Sequence, residues 1–302
     1  MRRRSAMILM AGSLVACAQT PESSGTVVGV SLLTRQDSFY RELERGLKEQ
    51  ATKRGLTLRI DAGEFDLARQ QSQLENYTVQ KVAAIIVCPT DSQGIGPGIT
   101  KANQANIPVF TADIRAKDAQ VIAHIASDNL AGGKLAGEYL AKRLGNKGRV
   151  AIIDQPYIQS VIERVQGFES AIRSHADIQI VARLNGDGVR DKSLKATEDL
   201  LQAQKSLDAI FCINDETALG AVAAIEAAGR KQIIVVGYDA SPEARTLIAS
   251  GSSSLQADIA QDPYHIGQQT IDAVADHLAG KKVPALIPVP VQLIEKANAK
   301  SG

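Results

Sequence analysis

Short apolar segments alternate along the chain with longer segments in which apolar residues recur every three or four positions. The first apolar segment covers residues 26–33, and a helical pattern over 39–54 follows it and ends at Gly55. The same order of strand and amphipathic helix repeats through both halves of the chain. Strands that alternate with helices form parallel sheets with right-handed crossovers. The pattern therefore predicts an α/β fold of two doubly wound parallel-sheet lobes.

The same criteria locate the remaining elements. The predicted strands lie at 26–33, 56–60, 83–88, 107–112, 121–126, 149–153, 178–184, 208–213, 233–239, 254–260 and 286–293. The predicted helices lie at 39–54, 67–80, 95–105, 130–144, 160–175, 191–204 and 262–278, with further helices starting at 214 and 241. Ser38 is the predicted N-cap of the first helix, because a serine oxygen accepts from free helix N–H groups. Pro288 and Pro290 indicate that the last segment is an edge strand or crosses between the lobes.

Composition narrows the classes of function. The chain has 302 residues, enough for two domains, and its 44% hydrophobic and 22% charged residues are ordinary for a globular protein. Its net charge of +1 provides no basic surface for nucleic acid. Three cysteines are too few for a disulfide framework. The four histidines show no metal-ligand spacing, so we predict neither a metal site nor a cofactor.

The first residues have the pattern of an export signal. Arginines at 2–4 precede an apolar run over 6–16 that is too short to span a bilayer as a helix. The run ends with Leu-Val-Ala-Cys at 14–17, which resembles a bacterial lipobox and implies cleavage before Cys17 and a lipid on its thiol. An ordinary secretory signal with a chance cysteine is the alternative interpretation. We expect residues 1–25 to be a lipoprotein signal peptide and tether, and the mature protein to be exported to the periplasm or cell surface and anchored to a membrane.

Polar side chains stand at the ends of several predicted strands, namely Asp113, Asn214, Asp239 and Gln261. In an open parallel sheet, the carboxyl ends of the strands line the ligand crevice. Amides donate and accept hydrogen bonds and carboxylates accept them, a combination that suits a polyhydroxylated small molecule. Asn214 also fits as a helix N-cap, which needs no ligand, whereas Asp239 lies before the cap residue Ser241. The strand ends therefore predict a binding site in a cleft between the lobes.

Several linked motifs resemble the ribose-binding protein family, the periplasmic sugar receptors of ABC importers and relatives of lac-repressor-type effector domains. They are PTDS at 89–92, ANQANIPV at 102–109, HIASDN at 124–129, NDETALGA at 214–221 and VVGYD at 235–239. The resemblance runs in order from about residue 26 to the end, and linked motifs are far more specific than one short pattern. It implies a type I periplasmic binding protein fold, in which three hinge segments join the lobes.

The resemblance also implies where the lobes divide. We expect hinge segments near Ser127, Gln261 and Val289. The N-terminal lobe would then comprise residues 26–127 plus 262–289, and the C-terminal lobe residues 128–261 plus 290–302.

Carried over position by position, the family's sugar-contacting residues are Asp37, Phe39, Tyr40, Asp113, Arg164, Asn214, Asp239 and the hinge amide Gln261. Phe39 and Tyr40 are the implied stacking rings. The sequence departs from the ribose receptors where Ile114, rather than an arginine, follows Asp113. It also lacks an aromatic residue near 186–188, where the second lobe should supply a ring, and Tyr157 is a candidate substitute.

A pair of carboxylates at a set separation is also what glycoside hydrolysis requires. Because Arg164 and two amides converge on Asp113 and Asp239, we expect both acids to stay ionised and to accept hydrogen bonds. We therefore predict no catalytic residue and no enzyme.

The resemblance implies an extracytoplasmic solute-binding protein of an ABC sugar importer. Its ligand would be a monosaccharide, either a ribose-like pentose or a hexose, or a polyol, and a hinge would close the lobes over it. The implied partners are the sugar and a membrane ABC permease, and we expect a monomer that binds no nucleic acid. A ligand-sensing co-receptor for a membrane signalling protein, without a transport role, is the alternative. A soluble transcriptional regulator would need a DNA-binding domain where the export signal stands.

Overall fold

The computed structural model describes residues 26–300, so the predicted signal peptide and Cys17 lie outside the described residues. The strands in chain order are β1 (Thr26–Leu32), β2 (Leu56–Ala62), β3 (Ala84–Val87), β4 (Val109–Ala112), β5 (His124–Ser127), β6 (Lys147–Asp154), β7 (Asp177–Asn185), β8 (Ala209–Cys212), β9 (Ile234–Asp239), β10 (Leu255–Ala260), β11 (Leu286–Val289) and β12 (Gln292–Glu295). The helices are α1 (Ser38–Arg54), α2 (Leu67–Val79), α3 (Gly96–Gln104), α4 (Asn129–Arg143), α5 (Gln159–Ile172), α6 (Arg190–Ala203), α7 (Asp215–Ala227), α8 (Pro242–Ser250) and α9 (Pro263–Leu278).

The predicted α/β class is confirmed, and the predicted helices and strands are present with ends shifted by a few residues. One cap was wrong. Asp37, rather than Ser38, is the N-cap of α1, and its carboxylate accepts from the Phe39 N–H. An aspartate one position earlier satisfies the same free N–H groups, so the helix already begins at Ser38.

The strands form two six-stranded sheets with equivalent topology. The first sheet has the order β2-β1-β3-β4-β5-β11, and its neighbouring strands are parallel. The second has the order β7-β6-β8-β9-β10-β12, and it is parallel except where β12 runs antiparallel to β10. Each sheet thus ends in a strand from the same C-terminal stretch of chain.

The chain crosses between the sheets after β5, after β10 and between β11 and β12. The segment predicted as one strand over 286–293 is in fact split, because β11 pairs with β5 and β12 pairs with β10. Pro290 lies in the gap between these strands, where its missing N–H costs no ladder hydrogen bond. The segment is therefore both a crossing connection and an edge strand.

The two lobes contact each other across the cleft. The Gln159 N–H, at the start of α5, donates to Ser92 Oγ of the first lobe at 2.9 Å. The Ser92 N–H donates to the Tyr157 carbonyl at 3.4 Å. These bonds hold the carboxyl ends of both sheets face to face, so the described arrangement is a closed one. Within residues 26–300, every helix is too short or too polar to cross a membrane.

Candidate ligand-binding site

The carboxyl ends of the two sheets enclose a cavity of about 50 Å³. Its lining includes every predicted ligand residue, namely Asp37, Phe39, Tyr40, Asp113, Arg164, Asn214, Asp239 and Gln261. They come from the loops after β1, β4, β8 and β10, from the last residue of β9, and from α1 and α5, so both lobes and a crossing segment contribute. Because parallel strands end on the same side of a sheet, residues distant in sequence meet here.

Asp113 follows β4 and is 4% exposed, with a backbone φ of +62°. The Tyr40 hydroxyl donates to its Oδ2 at 2.6 Å, while Oδ1 is buried and accepts no hydrogen bond from the rest of the described chain. Burial raises the pKa of Asp113, and the nearby Arg164 charge and the Tyr40 hydroxyl oppose that shift. Asp113 therefore brings a buried oxygen without a donor to the cavity wall.

Asp239 ends β9 with a φ of +111°, and Gln261 donates to its Oδ1 from Nε2 at 2.6 Å. The Gln261 Oε1 atom is buried and, like Asp113 Oδ1, has no hydrogen-bond partner in the described part of the chain. Burial raises the pKa of Asp239 well above its usual range, although the Arg164 charge opposes the shift. The Arg164 charge lowers the pKa of Asp113 and Asp239, in the direction that the prediction of ionised acids assumed, and burial opposes it, so the ionisation of these acids stays a prediction.

Arg164 is only 5% exposed, and the protein fixes its guanidinium on three sides. Nε donates to Asn129 Oδ1 at 2.9 Å, and Nη1 donates to the Ile213 carbonyl at 2.7 Å. The guanidinium lies 3.9 Å from the centroid of the Tyr238 ring, and Nη1 is 3.9 Å from Asp239 Oδ1. Arg164 is therefore a rigid cation in the wall of the cavity rather than a flexible partner of Asp239.

Asn214 both lines the cavity and caps α7. Its Oδ1 accepts from the Thr217 N–H at 2.9 Å, and its Nδ2 donates to the Gly188 carbonyl at 3.0 Å. The interpretation of Asn214 as an N-cap is confirmed. A ligand would meet an amide whose orientation these two bonds have already fixed.

Asp37 stands on the opposite wall, at the start of α1. Its Oδ1 accepts from the Phe39 N–H at 2.8 Å. Burial raises the pKa of Asp37 to about 6, the Phe39 N–H opposes the shift, and the charges of Glu216, Asp113 and Asp215 add to it. This carboxyl therefore titrates closer to neutrality than an exposed aspartate does.

The aromatic residues of the cavity come from the first lobe. Phe39 and Tyr40 meet edge to face, with ring centroids 5.2 Å apart. Phe65, in the loop between β2 and α2, also lines the cavity, and the sequence reasoning missed it. Tyr157, the suggested substitute for the second-lobe ring, lies outside the cavity lining, and its hydroxyl donates to Asp187 at 2.8 Å.

The loop holds Phe65 in an uncommon conformation. Glu64 and Phe65 both have positive φ, at +50° and +61°. Glu64 anchors the loop, because its carboxylate accepts from the Thr34 hydroxyl at 2.6 Å and from the Arg35 N–H at 3.1 Å. Bulky residues at positive φ persist only where surrounding contacts impose them, and such strain clusters at ligand sites. Phe65 is thus pre-positioned at the cavity.

Comparison with known proteins decides the family. Residues 28–282 match the periplasmic binding protein domain. The chain belongs to the periplasmic binding protein family. This membership confirms the prediction of a binding protein rather than an enzyme.

This periplasmic binding protein is similar along nearly its whole length to named relatives. It is 33% identical over 295 residues to the ribose import binding protein RbsB of Escherichia coli strain K12, with 97% of this chain and 99% of that protein covered. It is 35% identical over 278 residues to the ribose import binding protein RbsB of Bacillus subtilis strain 168, with 90% of each covered.

Solved structures show the same fold. An ABC transporter periplasmic solute-binding protein from Actinobacillus succinogenes with bound D-allose has a TM-score of 0.84 and 28% identity, over 91% of this chain and 99% of that one. An ABC transporter solute-binding protein from Bacillus halodurans with bound myo-inositol has a TM-score of 0.86 and 28% identity, over 93% and 98% of the two chains. The type I periplasmic binding protein fold predicted from the sequence is confirmed.

Proposed function

We propose that this protein is the solute-binding component of an ABC importer and that it binds a monosaccharide or a cyclic polyol between its lobes. The observation that carries the proposal is the pair of buried acceptors, Asp113 Oδ1 and Gln261 Oε1, at the cavity wall. A buried acceptor without a donor costs about 1–3 kcal/mol. Ring hydroxyls supply donors to both atoms at once. The similar solute-binding proteins solved with bound D-allose and with bound myo-inositol support this ligand class.

The charges of the cavity favour a neutral ligand. Asp37, Asp113 and Asp239 line it together with one buried cation, Arg164. A sugar phosphate would bring further negative charge beside three acids, and like charges in a buried site repel strongly. Neutral hydroxyls can instead donate to the carboxylates and accept from the guanidinium.

Phe65 supplies the third ring in this proposal. Phe39 and Tyr40 cover one side of the ligand. Phe65 replaces the aromatic ring that the second lobe lacks near residues 186–188. An aromatic face packs against the C–H face of a sugar ring and excludes water from its hydroxyl contacts. The ring geometry of this site would thus differ from that of ribose receptors, which leaves ribose as one candidate among several.

The lobes would move about the three crossing segments. We propose an N-terminal lobe of residues 26–127 plus 262–289 and a C-terminal lobe of 128–261 plus 290–302. The crossings after β5, after β10 and between β11 and β12 support these boundaries. A ligand that contacts both lobes favours the closed state through its differential affinity.

We also propose export, a lipid anchor at Cys17 and docking of the closed monomer on a membrane permease. The lipobox-like residues 14–17 and the periplasmic relatives support this location. In cells expressing the full chain, Cys17→Ser should move the protein from the membrane fraction to the soluble periplasmic or culture fraction. Equal membrane retention of both forms would contradict the anchor and leave the binding proposal standing.

A thermal-shift screen of residues 26–302 tests the ligand class. The panel contains pentoses, hexoses, inositols and the matching sugar phosphates as charged controls. A ligand that binds only the native state stabilises it and so raises the melting temperature. At a ligand concentration of 100 Kd, the free energy of unfolding increases by about 2.7 kcal/mol. We expect at least one neutral sugar or inositol to stabilise the protein and its phosphate to have no effect. A shift with phosphates alone, or with none of these ligands, would overturn the proposal.

A further inference from the structure

A second group of acids lies behind the cavity, next to the turn that carries Asp239. Asp258 in β10 is fully buried, and Asp215 at the start of α7 is 4% exposed. Each carboxyl accepts one backbone N–H of the turn: Asp258 Oδ1 from Ala240 at 3.0 Å, and Asp215 Oδ2 from Ser241 at 2.6 Å. The Asp215 N–H donates to Asp239 Oδ2 at 3.4 Å. The two acids therefore contact the backbone on which the ligand-facing carboxyl stands.

The turn itself is strained. Asp239 has a φ of +111° and Ala240 a φ of +55°, both in a region that residues with a Cβ seldom adopt. Such conformations persist only where neighbouring groups impose them. Gly237, which pairs with Asp258 across the sheet, makes room for the acid, because a Cβ there would lie 2.3 Å from Asp258 Oδ2. The Asp258 carboxyl thus occupies the space beside Gly237 and contacts the turn directly.

One oxygen of each acid remains to be satisfied. Asp215 Oδ1 and Asp258 Oδ2 are buried, and other described residues donate no hydrogen bond to them. The two carboxyls accept from the successive N–H groups of Ala240 and Ser241, which brings them close together, and, besides burial, a hydrogen bond with Asp215 raises the pKa of Asp258. Two carboxylates only accept, whereas a carboxylic acid donates, so one proton between them satisfies both oxygens. A single shared proton is the arrangement expected for two acids at one buried site.

The surroundings place that proton on Asp258. Burial raises the pKa of both acids, and the Asp215 charge raises that of Asp258 further. The other charged groups at the pair and its turn are Asp239 from β9, Glu216 from α7 and Arg245 from α8, which donates from Nε to the Ala240 carbonyl at 2.9 Å. Asp239 and Glu216 disfavour a second negative charge on the pair, whereas Arg245 contacts the turn through its carbonyl oxygen.

We infer that Asp258 is a positioning residue for ligand binding: as a neutral acid it donates to Asp215, and together they hold the strained Asp239–Ala240 turn in its ligand-binding conformation. This inference rests on the proposed function, since Asp239 must contact the ligand for its position to matter. Removing the shared proton leaves two buried carboxylates in contact. Because the two carboxylates repel each other, they no longer hold the turn in place. Affinity for the ligand should therefore fall as the pH rises above neutrality.

The test compares wild type, Asp258→Asn and Asp258→Ala by calorimetry with the sugar found in the thermal-shift screen. Titrations run from pH 6 to the highest pH at which each protein stays folded. An amide at 258 still accepts from Ala240 and donates to Asp215 at every pH, so Asp258→Asn should keep neutral-pH affinity within about threefold and lose the alkaline decline. Asp258→Ala removes both bonds and should bind at least about tenfold more weakly. Superimposable pH profiles of wild type and Asp258→Asn would overturn the inference.

A measurement without ligand separates this inference from the proposed function. Side-chain ¹³C NMR of the aspartates at pH 7, with Asp258→Asn to assign the signal, should show a protonated Asp258 carboxyl. An ionised Asp258 would overturn the inference even if sugars bind normally. A protonated Asp258 in a protein that binds no sugar would count against the proposed function instead.

Discussion

Asp37 should make the ligand affinity of the site depend on pH in the acid range. Its pKa of about 6 reflects burial and the neighbouring acids, and ligand hydroxyls donating to it would favour the ionised form. The pKa is then lower in the complex, so binding below pH 6 must release a proton. We expect affinity to weaken as pH falls through this range, with a limit of about tenfold per pH unit for one proton.

The matched variant is Asp37→Asn, because asparagine caps a helix as well as aspartate does. Asp37→Asn should bind more weakly than wild type at pH 7. Between pH 7 and pH 5, however, its affinity should change less, because the uptake of a proton by Asp37 no longer competes with binding. Calorimetry at several pH values measures both slopes. If wild type and Asp37→Asn show the same slope, the ligand does not contact the ionised Asp37.

Phe65 is the residue that most distinguishes this cavity from the sequence-based expectation. Phe65→Ala removes its ring from the cavity lining and should weaken sugar binding by about tenfold, a cost of roughly 1.4 kcal/mol. Tyr157→Ala is the control, since the two residues are about equally exposed, at 39% for Tyr157 and 41% for Phe65, but Tyr157 lies outside the lining. Fluorescence or calorimetric titration of both variants decides the matter. Equal losses in both, or a loss in Tyr157→Ala alone, would contradict the role of Phe65.

At the scale of the elements, one helix pair in each lobe packs through glycines. In the second lobe, a Cβ on Gly167 of α5 would lie 2.1 Å from the Leu130 carbonyl of α4. In the first lobe, a Cβ on Gly46 of α1 would lie 2.1 Å from the Tyr264 carbonyl of α9. Backbones that approach this closely tolerate no side chain, so these crossings fix how α1 and α5 present their cavity residues.

Gly167→Ala therefore forces α4 and α5 apart. We expect it to destabilise the protein by about 1–3 kcal/mol or more, as overpacking does in cores. Gly96→Ala, at the first residue of α3, is the control, because a Cβ there meets nothing within 4 Å and its effect should stay within about 0.5 kcal/mol. Urea unfolding compares the two variants. A Gly167→Ala protein as stable as the control would show that the helices are not in this close contact.

The sequence predicted the elements well because their signals are local. Apolar periodicity located the strands and helices, and the Asn214 cap was visible in the residues that follow it. The split of 286–293 into β11 and β12 was not predictable, since it depends on pairing with β5 and β10 far away in the chain. Long-range pairing leaves little trace in a short apolar run.

For the candidate site, too, the features with a local signal were predictable and those that depend on distant contacts were not. Strand-end acids and the family resemblance placed the predicted ligand residues at one cavity. Phe65 carried no local signal, because its φ of +61° depends on Glu64 bonding to Thr34 and Arg35. The effect of burial on the pKa of Asp113 and Asp239 was also invisible in the sequence, because the depth of burial and the Arg164 bonds to Asn129 and Ile213 exist only in the folded protein.

At the scale of the whole molecule, two equivalent sheets oppose their carboxyl ends, and neither sheet alone forms the cavity. The first lobe provides rings and Asp113, the second provides Arg164 and Asp239, and Gln261 lies at a crossing between them. Contacts outside the cavity, such as Gln159 with Ser92, also join the lobes in the closed form. Binding and closure are therefore coupled, because the ligand completes hydrogen bonds to both sides.

The most direct test of this account is calorimetric titration of wild type and Asp113→Asn with the sugar or inositol identified by thermal shift. An amide keeps the shape of the side chain and accepts from Tyr40 but lacks the charge, so the fold should persist and affinity should fall by about 10- to 150-fold. We predict one ligand per chain in the wild type and this loss in the variant, with a ligand-free melting temperature at least as high as that of the wild type, because burial raises the pKa of Asp113 and an amide carries no buried charge. Unchanged affinity in Asp113→Asn, or absence of binding by the wild type, would contradict the cavity as a sugar site.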